Sequence, residues 1–200
     1  MIESNVSRET HIRLDAFRAE FTRWSTRMNL VSGAERGRLD ERHIADSLQL
    51  MAIRPPTGRW FDIGTGGGFP GAILAAAEPE HGAEITLVES NLKKAAFLRT
   101  VCTAMGARAR VLAERAERVI GREEAPDTVS ARALASLPDL LAMLEPWLSA
   151  RTIGLFPKGR RAAEELAAAR KKWTFDCEAH PSRTADDAVI LEIANLSPRS

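Results

Sequence analysis

The stretch Asp62-Ile-Gly-Thr-Gly-Gly-Gly-Phe-Pro-Gly71 decides how this chain is read. Before it lies a short apolar run, Trp60, Phe61 and Ile63, and after it comes Ala72-Ile-Leu-Ala-Ala-Ala77, which favours helix. The order is strand, glycine turn, helix start, a geometry that lets a backbone approach a ligand closely. Glycines at 64, 66 and 68 leave out the Cβ atoms that would block a nucleotide-like ligand lying over the turn. No Lys-Ser/Thr pair follows, which excludes a phosphate-cradling P-loop.

Outward from this motif the chain alternates. Strands are expected at Trp60–Ile63, Glu84–Glu89, Arg110–Ala113, Thr128–Ala131 and Thr152–Phe156. Helical runs at about 69–78, 91–105, 115–121 and 135–149 separate them. Right-handed crossovers of this kind build a parallel sheet with helices on both faces. After a helix near 160–171, the strands Trp173–Glu178 and Ala188–Leu196 flank a polar loop, 181–187, and should close the sheet as an antiparallel pair. The expected fold class is α/β with a mostly parallel seven-stranded sheet. Ahead of it, Leu14, Phe17, Phe21, Trp24 and Met28 draw one apolar stripe on a helix. Ile44, Leu48 and Met51 do the same for a second helix, which must end before Pro55-Pro56. A turn-like connection, Asn29-Leu-Val-Ser-Gly33, joins the two. Residues 1–57 therefore read as a helical cap packed on an α/β unit of residues 58–200, the whole forming a single folding unit.

Two hundred residues suffice for one well-packed domain with a modest extension. The first ten residues lack the apolar core of a secretory signal, and no apolar run approaches a membrane span. Cys102 and Cys177 have neither zinc-ligand nor CxxC spacing and read as reduced thiols of a cytoplasmic protein, with no metal site and no membrane contact. The net charge of +1 hides an uneven distribution. Between Leu92 and Arg122 eight basic residues, among them Lys93, Lys94 and Arg99, face only Glu114 and Glu117. Lys158, Arg160, Arg161 and Arg170–Lys172 form a second group. Any single cluster is adequately explained as the solvated face of a helix. Two beside a cofactor motif favour a polyanionic substrate over a neutral metabolite.

In doubly wound sheets the ligand lies beyond the carboxyl ends of the strands, where the strand order switches. Four places qualify. The Gly64–Gly68 loop ends the first strand. Glu89 ends the second, where its carboxylate is suited to accept both hydroxyls of a ribose. Ala116-Glu117 follows the third, although spacing alone reads it as the exposed face of a short helix. Arg132 follows the fourth, among small apolar residues. An arginine is costly to bury there without a partner, which the carboxylate of a methionine moiety, an RNA phosphate, or Asp62 or Glu89 would supply. An acid about twenty residues after the glycines also suits a nicotinamide dehydrogenase. The tighter acid-x-Gly-x-Gly-x-Gly spacing resembles motif I of the S-adenosylmethionine-dependent methyltransferases.

A narrower resemblance rests on Asp62-Ile-Gly-Thr-Gly-Gly-Gly-Phe-Pro-Gly-Ala-Ile-Leu74, whose Gly-Phe-Pro-Gly ending is much more specific than the glycines. Together with Asn29-Leu-Val-Ser32, Arg42-His-Ile-Ala-Asp-Ser-Leu48, Leu87-Val-Glu-Ser90, Arg115-Ala-Glu117, Ser130-Ala-Arg-Ala-Leu-Ala-Ser-Leu137 and Lys158-Gly159, it is similar to the bacterial 16S ribosomal RNA guanine-N7 methyltransferases, also called glucose-inhibited division protein B. The resemblance implies a class I Rossmann-like methyltransferase acting on a guanine near the decoding site of the small ribosomal subunit. Carried over by position, Gly64 and Phe69, the Ala116-Glu117 pair and Arg132 contact S-adenosylmethionine, and the glycine loop itself adds Gly66 to the expected cofactor residues. The family more often has Asp where this chain has Glu89, and an aliphatic pair where it has Phe156-Pro157. The latter departure leaves the placing of Lys158 open.

Guanine N7 carries a lone pair and no proton, so its methylation requires no general base and no residue is assigned as acid or base. Positioning falls to Arg132, with Lys158 and His43 as weaker candidates. As a lone histidine, His43 reads first as packing in the cap. Lys93, Lys94, Arg99 and Lys158 are the expected RNA contacts, and nothing demands more than a monomer. A small-molecule methyltransferase or a nonenzymatic RNA-binding assembly factor on the same scaffold are the competing readings.

Overall fold

The computed structural model describes residues 6–31, 38–77, 82–149 and 151–199. Part of the expected Asn29–Gly33 turn and the last residue of the expected 69–78 helix lie outside them. Ser7 opens helix α1 (Arg8–Ser25), its hydroxyl accepting from the Thr10 N–H at 3.2 Å. One wider turn of helix (Leu39–Ile44) runs directly into α2 (Ala45–Ile53). There follow β1 (Arg59–Ile63), α3 (Gly71–Ala77), β2 (Glu84–Val88), α4 (Leu92–Met105), β3 (Ala109–Leu112), α5 (Ala116–Ile120) and β4 (Thr128–Ser130). The chain ends with α6 (Leu137–Leu148), β5 (Ile153–Lys158), α7 (Ala162–Ala169), β6 (Trp173–Pro181) and β7 (Val189–Pro198).

The seven strands form one sheet in the order β3-β2-β1-β4-β5-β7-β6. β1 to β5 run parallel, and β7 runs antiparallel to both β5 and β6. The last strand of the chain thus inserts between β5 and β6, leaving β6 at the edge. β1 and β4 lie side by side although the chain goes from β1 to β2, so the order reverses beside the glycine loop.

Neighbouring residues of the central strands divide between two apolar layers. Trp60, Leu87, Leu155 and Ile190 join α1, α2, α3 and α4 on one face. Phe61, Val88, Phe156 and Leu191 join α5 and α6 on the other. Side chains alternate across a strand, so a strand buried on both faces must be apolar at consecutive positions, which is why these segments read as unbroken apolar runs. Leu14, Phe17 and Phe21 of α1 share the first layer with Phe69, Ala72 and Phe97, so the N-terminal helix packs into the same core as α3 and α4. At roughly 25 cal/mol per Å² of apolar area, each such large side chain contributes about 2 kcal/mol when fully buried.

Helix ends differ from expectation for local reasons. α3 starts at Gly71 rather than 69, because Gly68 takes a positive φ of 97° and Pro70 follows in a turn. α6 starts at Leu137 rather than 135, where the Ser136 hydroxyl accepts from the Asp139 N–H. Residues 132–135 remain an irregular segment at the edge of the site.

Candidate active site

The glycine loop is held from three sides. Gly64 and Thr65 donate their N–H groups to the Val88 carbonyl at 2.9 and 3.2 Å, which ties the loop to the end of β2. Glu89 reaches back from that end. Its Oε2 accepts from the Gly66 N–H at 2.9 Å, and its Oε1 from the Asn91 N–H at 2.7 Å. Each carboxylate oxygen keeps an open acceptor site, so the acid can brace the loop and still receive two hydroxyls.

Asp62 works from behind the loop. It is wholly buried, and its Oδ2 accepts from the Gly71 N–H at 2.9 Å at the start of α3. Its Oδ1 accepts from the Ser130 hydroxyl at 2.7 Å, and Ser130 accepts from the Trp60 indole N–H at 3.0 Å. Desolvation pushes the Asp62 carboxyl up to about 6, and the Ser130, Gly71 and Thr65 hydrogen bonds with the charge of Arg132 oppose that rise. Asp62 is therefore a structural clamp between β1, β4 and α3.

The glycines do several jobs, which corrects the expectation that 64, 66 and 68 all clear space for a ligand. Only Gly66 behaves so: at φ 58° a Cβ would meet nothing nearer than the Gly64 carbonyl at 3.7 Å. A Cβ on Gly68 would press on Phe17 and Ala72, and one on Gly64 would enter Leu134. Gly71, outside the expected trio, is the most constrained, because a Cβ there would lie 2.6 Å from Asp62 Oδ2.

Above the carboxyl ends of β1, β2 and β3 lies an open recess of about 290 Å³. Gly64, Gly66, Glu89, Ala116 and Glu117 all line it, so five of the seven expected cofactor residues come together. Ser90, Lys94, Leu134 and Met143 complete its walls in part, and spacing had marked none of the four for the cofactor. Phe69 does not line it. Its ring sits beneath the loop in an aromatic cluster, 5.5 Å from Phe17, 5.8 Å from Phe21 and 4.8 Å from His43, with the histidine stacked on it.

Arg132 stands on the other side of Leu134. Its Nη2 donates to His43 Nδ1 at 2.6 Å across 89 positions of chain. A guanidinium has no acceptor, so the bond assigns the His43 proton to Nε2. The histidine is buried, as expected for packing, but it also orients the arginine. Arg132 lines a second recess of about 430 Å³ with Arg42, Asp46, Lys158 and Ser182, and the two recesses share Ala133 and Leu134 as their common wall. Ala133 has φ 53°, a left-handed backbone that is strained for a residue with a Cβ, and Leu134 is 41 % exposed. Local sequence carries no signal for either feature.

Lys158 is only 9 % exposed. Its ammonium donates to the Ala135 carbonyl and to Glu165 Oε2, both at 2.9 Å, which fastens the 132–136 segment to α7. Desolvation pushes the Glu165 carboxyl up, but the Lys158 ammonium and the Leu137 N–H outweigh it and hold the acid below its usual value. Lys93 and Arg99 are exposed on α4, the latter touching the Val111 carbonyl at 3.4 Å, whereas Lys94 turns partly into the first recess. Cys102 is buried, and desolvation raises its thiol to about 11, so it is no nucleophile. Among the described residues no helix is long and apolar enough to cross a membrane. Glu178, His180 and Glu192 cluster on β6 and β7, but Arg54 lies 3.5 Å from Glu192 and opposes a cation there.

Comparisons with known proteins agree with this fold. The chain is similar over 90 % of its length to the SAH-bound structure of a Podospora anserina methyltransferase, with 17 % identity, 87 % of that chain covered and a TM-score of 0.64. It also resembles a cofactor-bound Mycobacterium tuberculosis protein, TM-score 0.57 and 18 % identity over 94 % of this chain and 90 % of that one. These two show a shared fold, the Rossmann-like fold of methyltransferases. At the level of sequence, the chain is 50 % identical over 194 residues to the ribosomal RNA small subunit methyltransferase G of Methylobacterium nodulans, covering 96 % of this chain and 92 % of that protein. It is 48 % identical to the protein of the same name from Brucella ovis, covering 96 % and 90 %. Since residues 10–187 also match the family model for GidB, rRNA small subunit methyltransferase G, the chain belongs to that family.

Proposed function

We propose that this protein transfers a methyl group from S-adenosylmethionine to N7 of a guanine in the 16S rRNA of the small ribosomal subunit. One observation carries the reading. A recess floored by Gly66 and walled by Glu89 adjoins a second, arginine-lined recess, with only Ala133 and Leu134 between them. The first recess fits the donor, because the open side of Gly66 admits close approach and the Glu89 carboxylate keeps acceptor sites for a ribose. Bound there, the donor supplies an electrophilic sulfonium methyl.

The residues on the acceptor side have only to hold the base. Guanine N7 needs no deprotonation, so orientation and accommodation of the charge gained by the ring supply the catalysis. Arg132, aimed by His43, is the positioning residue at the boundary between the recesses. Lys158 acts on the same segment through the Ala135 carbonyl. Exposed Lys93 and Arg99 suit phosphate contact. Lys93 and Lys94 stand in the first turn of α4, where cations oppose the helix dipole, so helix stability does not account for them. We further read the protein as a cytoplasmic monomer whose residues 1–57 cap the α/β unit.

The test is incubation with labelled S-adenosylmethionine and small subunits lacking the modification, followed by nuclease mapping and mass analysis. Label at one guanine N7 is the expected result, and Arg132→Ala should lower transfer at least tenfold with the donor still bound. Donor binding without transfer to rRNA would move a small-molecule acceptor to the front. Neither binding nor transfer would leave an RNA-binding factor on an enzyme scaffold.

A further inference from the structure

The second recess holds two carboxylates, and one of them is committed. Glu165 is occupied by Lys158 and by the Leu137 N–H. Asp46, on α2 and lining the same recess as Arg132, is held by Oδ1 alone, which accepts from the hydroxyls of Thr184 and Ser182. Among the described residues no hydrogen bond reaches its Oδ2. The support behind it is rigid. Gln49, one helical turn on, donates its side-chain amide to the Pro181 carbonyl at 2.7 Å and accepts from the Arg183 N–H at 2.9 Å. The 181–184 segment is thereby pinned to α2, and it in turn fixes the direction of the Asp46 carboxylate, as a recognition group must be fixed to discriminate.

We propose that Asp46 is the specificity-determining residue for the target base, its open Oδ2 accepting from both the N1–H and the 2-amino group of guanine. The proposal rests on the methyl transfer to guanine N7 put forward above. Guanine presents two adjacent donors on that edge, whereas adenine offers a bare N1 acceptor that a carboxylate repels. N7 lies on the other edge of the base. A guanine held by Asp46 therefore turns N7 away from α2 and towards the Ala133–Leu134 wall, beyond which lies the donor recess. The reaction also strengthens the contact. As N7 forms its bond to the methyl carbon and that carbon leaves sulfur, the ring becomes cationic and its N1–H more acidic. The same carboxylate then binds the transition state better than the ground state, which is what accelerates a chemical step.

The experiment compares small subunits assembled on RNA carrying guanine or inosine at the target position, inosine lacking only the 2-amino group. Transfer of labelled methyl is measured for the wild type, Asp46→Asn and Thr184→Val. One charge-assisted hydrogen bond corresponds to roughly a tenfold effect or more. The wild type should lose about that factor in kcat/KM on inosine. Asp46→Asn should be slowed about a hundredfold on guanine, with donor affinity unchanged, and should treat guanine and inosine within about twofold of each other. Thr184→Val, which keeps the carboxylate but removes one of the two hydroxyls that aim it, should keep a reduced preference, between that of the wild type and that of Asp46→Asn. If Asp46→Asn keeps the tenfold preference, Asp46 does not read the base. A wild type inactive on guanine-bearing subunits would instead overturn the underlying function, a result distinguishable from that one.

Discussion

Asp62 offers a prediction whose size comes directly from the structure. Its carboxyl is fully buried and titrates near 6 in the folded chain against 3.8 in the open one. Because the folded value is the higher, the folded state holds the proton more tightly. The stabilisation from that proton is complete below about pH 4 and is lost as pH rises through 6. The difference of about two pH units corresponds to about 3 kcal/mol. Asp62→Asn removes this titration and mimics the protonated acid: the amide oxygen can accept from the Gly71 N–H, and the amide nitrogen can donate to the second lone pair of Ser130, whose own hydroxyl proton gives up Asp62 as acceptor as it does beside the protonated carboxyl. The variant should match the wild type near pH 4 and exceed it by about 3 kcal/mol at pH 8. Asp62→Ala, which strands the buried Gly71 N–H and the Ser130 hydroxyl, should be destabilised by about 2–4 kcal/mol. Urea unfolding of the three proteins at half-unit steps from pH 4 to 8 reads all of this. Parallel stability curves for the wild type and Asp62→Asn over that range would refute the argument.

Three further perturbations test the site. Gly71→Ala places a methyl against Asp62 and Leu87 and should cost about 3 kcal/mol, visible as a lowered Tm by calorimetry. Glu89→Ala removes the brace on Gly66 and the proposed ribose acceptor, so donor affinity measured by titration calorimetry should fall by about 2 kcal/mol or more; an unchanged affinity would remove Glu89 from the donor site. Replacing Lys93 and Arg99 together by Gln should flatten the salt dependence of RNA binding by about two in log–log slope, and an unaltered slope would show that neither meets phosphate.

The residues that strand ends bring to the first recess were readable. Glu89 closes the apolar run of β2, and Gly64 and Gly66 follow that of β1, so period and punctuation placed them correctly at the rim. Phe69 belongs to the same motif but turns away from the first recess into the aromatic cluster, because a motif specifies which residues are near one another and not which way a ring turns. Lys158 belonged to a basic group in sequence, yet it is folded inward onto Ala135 and Glu165. Leu134 went unmarked and Lys94 was marked only for RNA, because their place in the first recess depends on how α4 and the 132–135 segment lean over it.

The sequence by itself determined the local and periodic matters: which segments are strands buried on both faces, where glycine breaks them, and which acid follows the second strand. Each depends on interactions within a few residues, so it is written in consecutive letters. Tertiary structure alone decided the insertion of β7 between β5 and β6, the left-handed turn at Ala133, the His43–Arg132 bond and the docking of the 181–184 loop on Asp46 and Gln49. These join groups far apart in the chain, and their free energy exists only after the sheet and both helical layers have brought the partners together out of water.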